Sequence, residues 1–129
     1  MKKLLLIFTL LFSTLMFSTP SYGEWTKVSK NMKGNTFYVD FERIRKHGGY
    51  VYYWKLSDYL KPILNEYMSD KGYQEVDCNL LREKDLSLTF YNEPMGGGSS
   101  RIIKNPNKGW QYAPPNSSHE VILKRVCSQ

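Results

Sequence analysis

The sequence predicts an α+β domain in which a single antiparallel sheet of about six strands carries a C-terminal helix packed on one face and tied to it by a disulfide. Three observations predict it. Several segments alternate apolar and polar residues with period two, a capped helical pattern closes the chain, and the two cysteines fall one in each kind of element.

The first 23 of the 129 residues are set apart from that domain, because they read as a cleaved signal peptide. Lys2 and Lys3 form a charged start, an apolar run follows from Leu4 to Phe17, and Ser21-Tyr22-Gly23 after Pro20 places small residues where a signal peptidase cuts. A 14-residue apolar helix would reach only about 21 Å, short of the roughly 30 Å core of a bilayer. Residues 24–129 are therefore expected to form one domain without an integral membrane segment, in the periplasm or secreted. No cysteine occurs in residues 1–24, so the acylated cysteine of a bacterial lipoprotein is absent.

Within that domain, three strands are clear. In residues 36–41, Phe37, Val39 and Phe41 oppose Thr36, Tyr38 and Asp40. In residues 50–60, Tyr50, Tyr52, Trp54 and Leu56 are taken as the core face, opposite Val51, Tyr53, Lys55, Ser57 and Tyr59. In residues 86–91, Leu86, Leu88 and Phe90 oppose Ser87, Thr89 and Tyr91. Further strands are expected at 25–29, 73–81 and 101–104, separated by turn-rich stretches such as Lys33-Gly34-Asn35 and Asn105-Pro106-Asn107. Asp40 with residues 41–45 reads as a capped helical turn ended by Gly48 and Gly49. At the end of the chain, Ser117 and Glu120 have the capping-box spacing, and the pairs Ile122/Val126 and Leu123/Cys127 repeat at i, i+4.

Export delivers Cys78 and Cys127 to an oxidising compartment where a pair of thiols closes. The bridge would pin the helix to the strand region that carries Cys78, and the apolar sheet face is what that helix can cover.

Little else in the chain suggests chemistry. The histidines, His47 and His119, sit in a turn and a helix cap, too few for a zinc site once both cysteines are oxidised. There is no G-x-S-x-G, and Gly96-Gly97-Gly98 lacks the lysine and hydroxyl of a phosphate loop. No cofactor, metal or catalytic set is expected. Without Lys2 and Lys3 the chain holds 16 basic and 12 acidic residues, a net charge of +4. That modest charge gives no case for nucleic acid and argues against an inhibitor of cationic lysozymes, which would be acidic. The 15 aromatic residues among residues 24–129 do stand out. Tyr38, Tyr53, Tyr59 and Tyr91, with Lys55, are assigned to the faces opposite the core, a composition that binding surfaces favour. Strand propensity alone would also place tyrosines there, and a homodimer face would look the same.

The order of landmarks resembles the surface-adhesin protein E family of exported bacterial proteins. The matching elements are Trp25, Tyr38-Val39-Asp40, Ile44-Arg45-Lys46, Trp54, Asp77-Cys78, Pro94-Met95-Gly96, Gly109-Trp110 with Tyr112 and Pro114, and Cys127. The resemblance implies a curved antiparallel sheet with a disulfide-held C-terminal helix. For an adhesin of this kind it also implies a dimer that binds host matrix proteins such as laminin and vitronectin, and plasminogen. Two departures are the missing acylation cysteine and a longer segment at 60–67. Only the cysteine pair carries over residue by residue. The resulting reading is a non-enzymatic binding domain for a matrix or envelope protein, with a periplasmic inhibitor or envelope accessory protein as the alternative. Protein recovered from periplasm or medium is expected to begin at Glu24 by N-terminal mass spectrometry. Recovery only from membranes, with Met1 intact, would contradict the signal-peptide reading.

Overall fold

The computed structural model describes residues 24–106 and 108–129, so the expected signal peptide lies outside the described residues. Eight strands form one sheet: β1 (Thr26–Lys30), β2 (Thr36–Val39), β3 (Arg45–His47), β4 (Tyr50–Ile63), β5 (Tyr67–Asp77), β6 (Arg82–Tyr91), β7 (Ser100–Ile103) and β8 (Gln111–Tyr112). Their order is β1-β2-β4-β5-β6-β7, with β3 added to β4 and β8 to β6, and the pairings are antiparallel. The six-strand path corresponds to the six expected segments. The two short strands are the additions.

The hairpins follow from backbone chemistry. Asn31 Oδ1 accepts the amides of Lys33 and Asn35 and closes the β1–β2 turn. Gly34 there has φ +85°, and a Cβ on it would meet Leu60 Cδ2 at 2.7 Å, so both conformation and space call for glycine. Asp40 Oδ1 caps a turn as expected, but that turn ends at Arg43, and Arg45 begins β3. Gly48 and Gly49, at φ +60° and +84°, instead make the two-residue hairpin from β3 to β4. The segment 60–67 is another hairpin tip, where Leu64 and Asn65 both take positive φ between β4 and β5.

The helix α1 (Ser118–Cys127) starts where the capping pattern placed it. Ser117 Oγ accepts the Glu120 amide at 3.1 Å, while Glu120 Oε1 reaches back to the Asn116 amide at 3.3 Å, one residue before the usual partner. Ile122, Leu123 and Val126 pack on Val39, Val51, Tyr53 and Val76, each such apolar residue contributing about 1.5–3 kcal/mol. The Cys78–Cys127 disulfide joins the far end of α1 to the residue just after β5, across 49 positions.

The expected faces of β4 are exchanged along its first half. Val51 and Tyr53 lie under the helix, with Tyr53 fully buried, whereas Tyr50, Tyr52 and Trp54 are half-buried on the opposite, open face, and of the expected core residues Leu56 alone is fully buried there. Lys55 and Ser57 make the Val51 side of β4 look the wetter one, but the helix covers it at Val51 and Tyr53 and leaves the more aromatic side open. In β6 the register slips at Leu86, which has no partner on β5. That slip brings Glu83, Asp85, Leu88 and Phe90 onto the helix side and leaves Leu86 exposed. Replacing both cysteines by serine is expected to cost about 4 kcal/mol in the loop-entropy account. Denaturant unfolding would measure it, and a loss under about 1 kcal/mol would contradict the staple.

Candidate functional site

The five residues singled out from the sequence do not share one surface. Tyr53, Lys55 and Tyr59 point to the helix side, while Tyr38 and Tyr91 lie on the open side with Leu56, Lys71 and Ser69. Tyr53 is part of the core rather than of a surface. Lys55 and Tyr59 instead edge a polar cleft beyond the N-terminus of α1.

Glu83 organises that cleft. Its carboxylate accepts the Tyr53 hydroxyl at 2.8 Å and the Lys55 ammonium at 3.2 Å, and His119 Nε2 stands 2.7 Å away, at ion-pair distance but not aligned as a hydrogen bond. Burial works against ionisation of Glu83, but Lys55, His119 and Tyr53 outweigh it and hold the carboxyl at about 2. The same Glu83 carboxylate keeps the Lys55 ammonium above its ordinary range against its own desolvation. Asp70, bonded to the Tyr59 hydroxyl, goes the other way: burial raises it, and Tyr59 and Lys55 compensate only in part. Among the described residues no group of three or more His, Cys, Asp or Glu converges as a metal ion would require.

The open face is different in kind. Tyr50 packs on Trp110 with ring centroids 5.5 Å apart, and Tyr73 lies between Tyr52 at 6.1 Å and Trp54 at 4.9 Å. Cations rest on these rings: Arg82 and Lys84 over Trp110 at 4.5 and 4.3 Å, and Arg43 over Trp54 at 5.3 Å. Acid groups fix the row from below, with Tyr52 donating to Glu75 at 2.7 Å and Arg82 held by Asp77 at 3.0 Å. The Glu75 bond raises the Tyr52 phenol to about 12. At the other end of this face the turn Pro94–Gly96 folds over the strands, the Met95 and Gly96 amides bonding Asp58 and Ser69. Trp110 escaped the sequence reading of the face because it stands in a turn-rich stretch. Its period-two spacing to Tyr112 in β8 is the signal that could have found it.

An antiparallel sheet with a disulfide-held C-terminal helix on one face and an aromatic row on the other defines the domain. The family model for surface-adhesin protein E matches residues 25–128, and the chain belongs to that family. Two solved structures of Haemophilus influenzae protein E share the fold. Crystal form II is 18% identical, with TM-score 0.63 over 85% of this chain and 91% of that one. The structure from the non-typeable organism is 17% identical, with TM-score 0.57 over 86% and 79%. A comparison with curated proteins found no match.

The low value for Glu83 fixes a pH dependence. A carboxyl depressed from 4.5 to about 2 stabilises the fold above its unfolded value and loses that contribution as pH falls toward 2. Glu83→Gln should cost about 3 kcal/mol at neutral pH by leaving Lys55 unpaired, and should flatten the acid limb between about pH 4.5 and 2. Urea unfolding across that range measures both effects. An unchanged acid limb would contradict the assignment.

Proposed function

We propose that this protein is an exported, non-enzymatic binding protein of the adhesin type, which holds a protein partner against the open face of its sheet. The observation that carries the reading is the row formed by Tyr50, Tyr52, Trp54, Tyr73 and Trp110 with Arg43, Arg82 and Lys84 along it. Trp, Tyr and Arg are the residues that dominate binding energy at protein interfaces, Trp and Tyr because they bury large areas with few rotors to freeze and Arg because its planar fork stacks and donates several hydrogen bonds. Here the rings are already ordered by their neighbours and by strand backbone, so docking freezes little further. Membership of an adhesin family supports the same reading and favours a component of the host matrix as partner.

A homodimer is a second arrangement, favoured by the outer edge of β7, where Ile102 is 72% exposed next to an unpaired strand edge. A direct experiment measures binding of the mature protein to immobilised laminin and vitronectin. Trp110→Ala and Tyr52→Ala are expected to weaken binding by tenfold or more, about 2 kcal/mol for a hot-spot residue. Lys124→Ala on the outer side of α1 should leave it unchanged. Equal binding by the Trp110→Ala/Tyr52→Ala double variant would contradict use of the open face, and a failure of the parent protein to bind either would contradict the matrix partner.

A further inference from the structure

The cleft on the helix side has a volume of about 290 Å³, at the small end of ligand pockets, which run from about 300 to 1,000 Å³. Its two basic side chains are both directed at Glu83, Lys55 at 3.2 Å and His119 Nε2 at 2.7 Å. Two of its acceptors are uncommitted. Gln74 is 1% exposed and its Oε1 has no hydrogen-bond donor. Gln74 opposes Asp85 across the β5–β6 pairing, and the Asp85 carboxylate, also lining the cleft, forms no hydrogen bond or ion pair among the described residues. A buried carbonyl without a donor is costly, which is why such atoms point to a ligand or an ordered water.

The position of Gln74 is itself built. Its Nε2 occupies the space above Gly72, where a Cβ would stand only 2.6 Å from it, so glycine at that position lets the carboxamide lie on the sheet. Around the free acceptors, Phe37, Leu88 and Ile122 give the cleft apolar walls. Asp70, Glu83 and Asp85 outnumber Lys55 and His119 there, which disfavours an anion, and among the described residues the lack of a converging ligand set argues against a metal ion.

We propose that this cleft binds the ammonium or guanidinium head of an alkyl chain, with Gln74 Oε1 and Asp85 accepting its N–H groups and the apolar walls holding the stem. The chemistry is that of a lysine or arginine side chain, supplied by a free basic amino acid or by a residue of a partner chain. The site is separate from the open aromatic face, so the two readings stand or fall independently.

The test is an NMR titration of the disulfide-bonded, ¹⁵N-labelled protein with Nα-acetyl-arginine amide, Nα-acetyl-lysine amide and free L-arginine, using Nα-acetyl-norleucine amide as the uncharged control. At least one cationic probe is expected to shift the Gln74 side-chain amide and the neighbouring β6 amides saturably. Tighter binding of free arginine than of its blocked amide would assign the site to the free amino acid, and equal or weaker binding would assign it to a residue in a chain. Asp85→Asn and Gln74→Leu should each weaken binding about tenfold, the effect of losing a hydrogen bond to a charged group. Asp85→Asn, at a half-exposed position, keeps the test valid should Gln74→Leu disturb the core. Absence of saturable shifts with every cationic probe, equal binding of the norleucine control, or a crystal soaked in the probes that holds only a water at Gln74 would overturn the proposal.

Discussion

One short helix has to serve one long sheet, and the rest of the structure follows from that mismatch. The ten residues of α1 extend about 15 Å at 1.5 Å per residue, while the 14 residues of β4 extend roughly 46 Å at 3.3 Å per residue. The helix can therefore cover one end of one face. It takes the end where Val39, Val51, Tyr53 and Val76 make an apolar seat, and the Cys78–Cys127 bridge holds it there. The rest of the sheet has no helix over it, and on the open side the Pro94–Gly96 turn folds over the far end, where Leu56 and Ser69 are buried.

Two different solutions appear on the two uncovered areas. Beyond the start of α1, the helix side turns polar, and Glu83 gathers Tyr53, Lys55 and His119 into a buried charge cluster that ties core, sheet and helix cap together. On the open side, large rings cover the strands by packing on one another, and Arg43, Arg82 and Lys84 cover the rings in turn. The cations thereby reduce the aromatic area left in contact with water. In the proposed function the face that lacks a covering helix is the face used for recognition, so that reading and the fold share one cause.

That division also explains what the sequence could and could not convey. The helix, its Ser117 cap, the disulfide and the six main strands were legible because each depends on local spacing or on the cysteine count. The faces of β4 were not, because Tyr50, Tyr52, Trp54 and Leu56 make the more apolar side, while Lys55 and Ser57 stand with Val51 and Tyr53 on the side the helix covers. Only the helix's position shows that the short Val51–Tyr53 stretch is the seat. The cleft was hidden further by the slip at Leu86, which aligns Glu83 and Asp85 with Leu88 although strict alternation would separate them. Of the candidate site, Lys55 and Tyr59 were found for the wrong surface, Tyr53 proved to be core, and Trp110 was visible only as a landmark of the family.

The central claim is the choice of face: α1 covers Tyr53, and the side bearing Tyr50 and Trp110 is open. Hydroxyl-radical footprinting of the folded protein, read by mass spectrometry, tests it most directly because side-chain oxidation follows solvent access. The account predicts rapid oxidation of Tyr112, which is 60% exposed, intermediate oxidation of Tyr50 and Trp110, and protection of Tyr53 until the protein unfolds. Oxidation of Tyr53 at the rate of Tyr112, with Tyr50 and Trp110 protected, would place the helix on the other face and contradict the account.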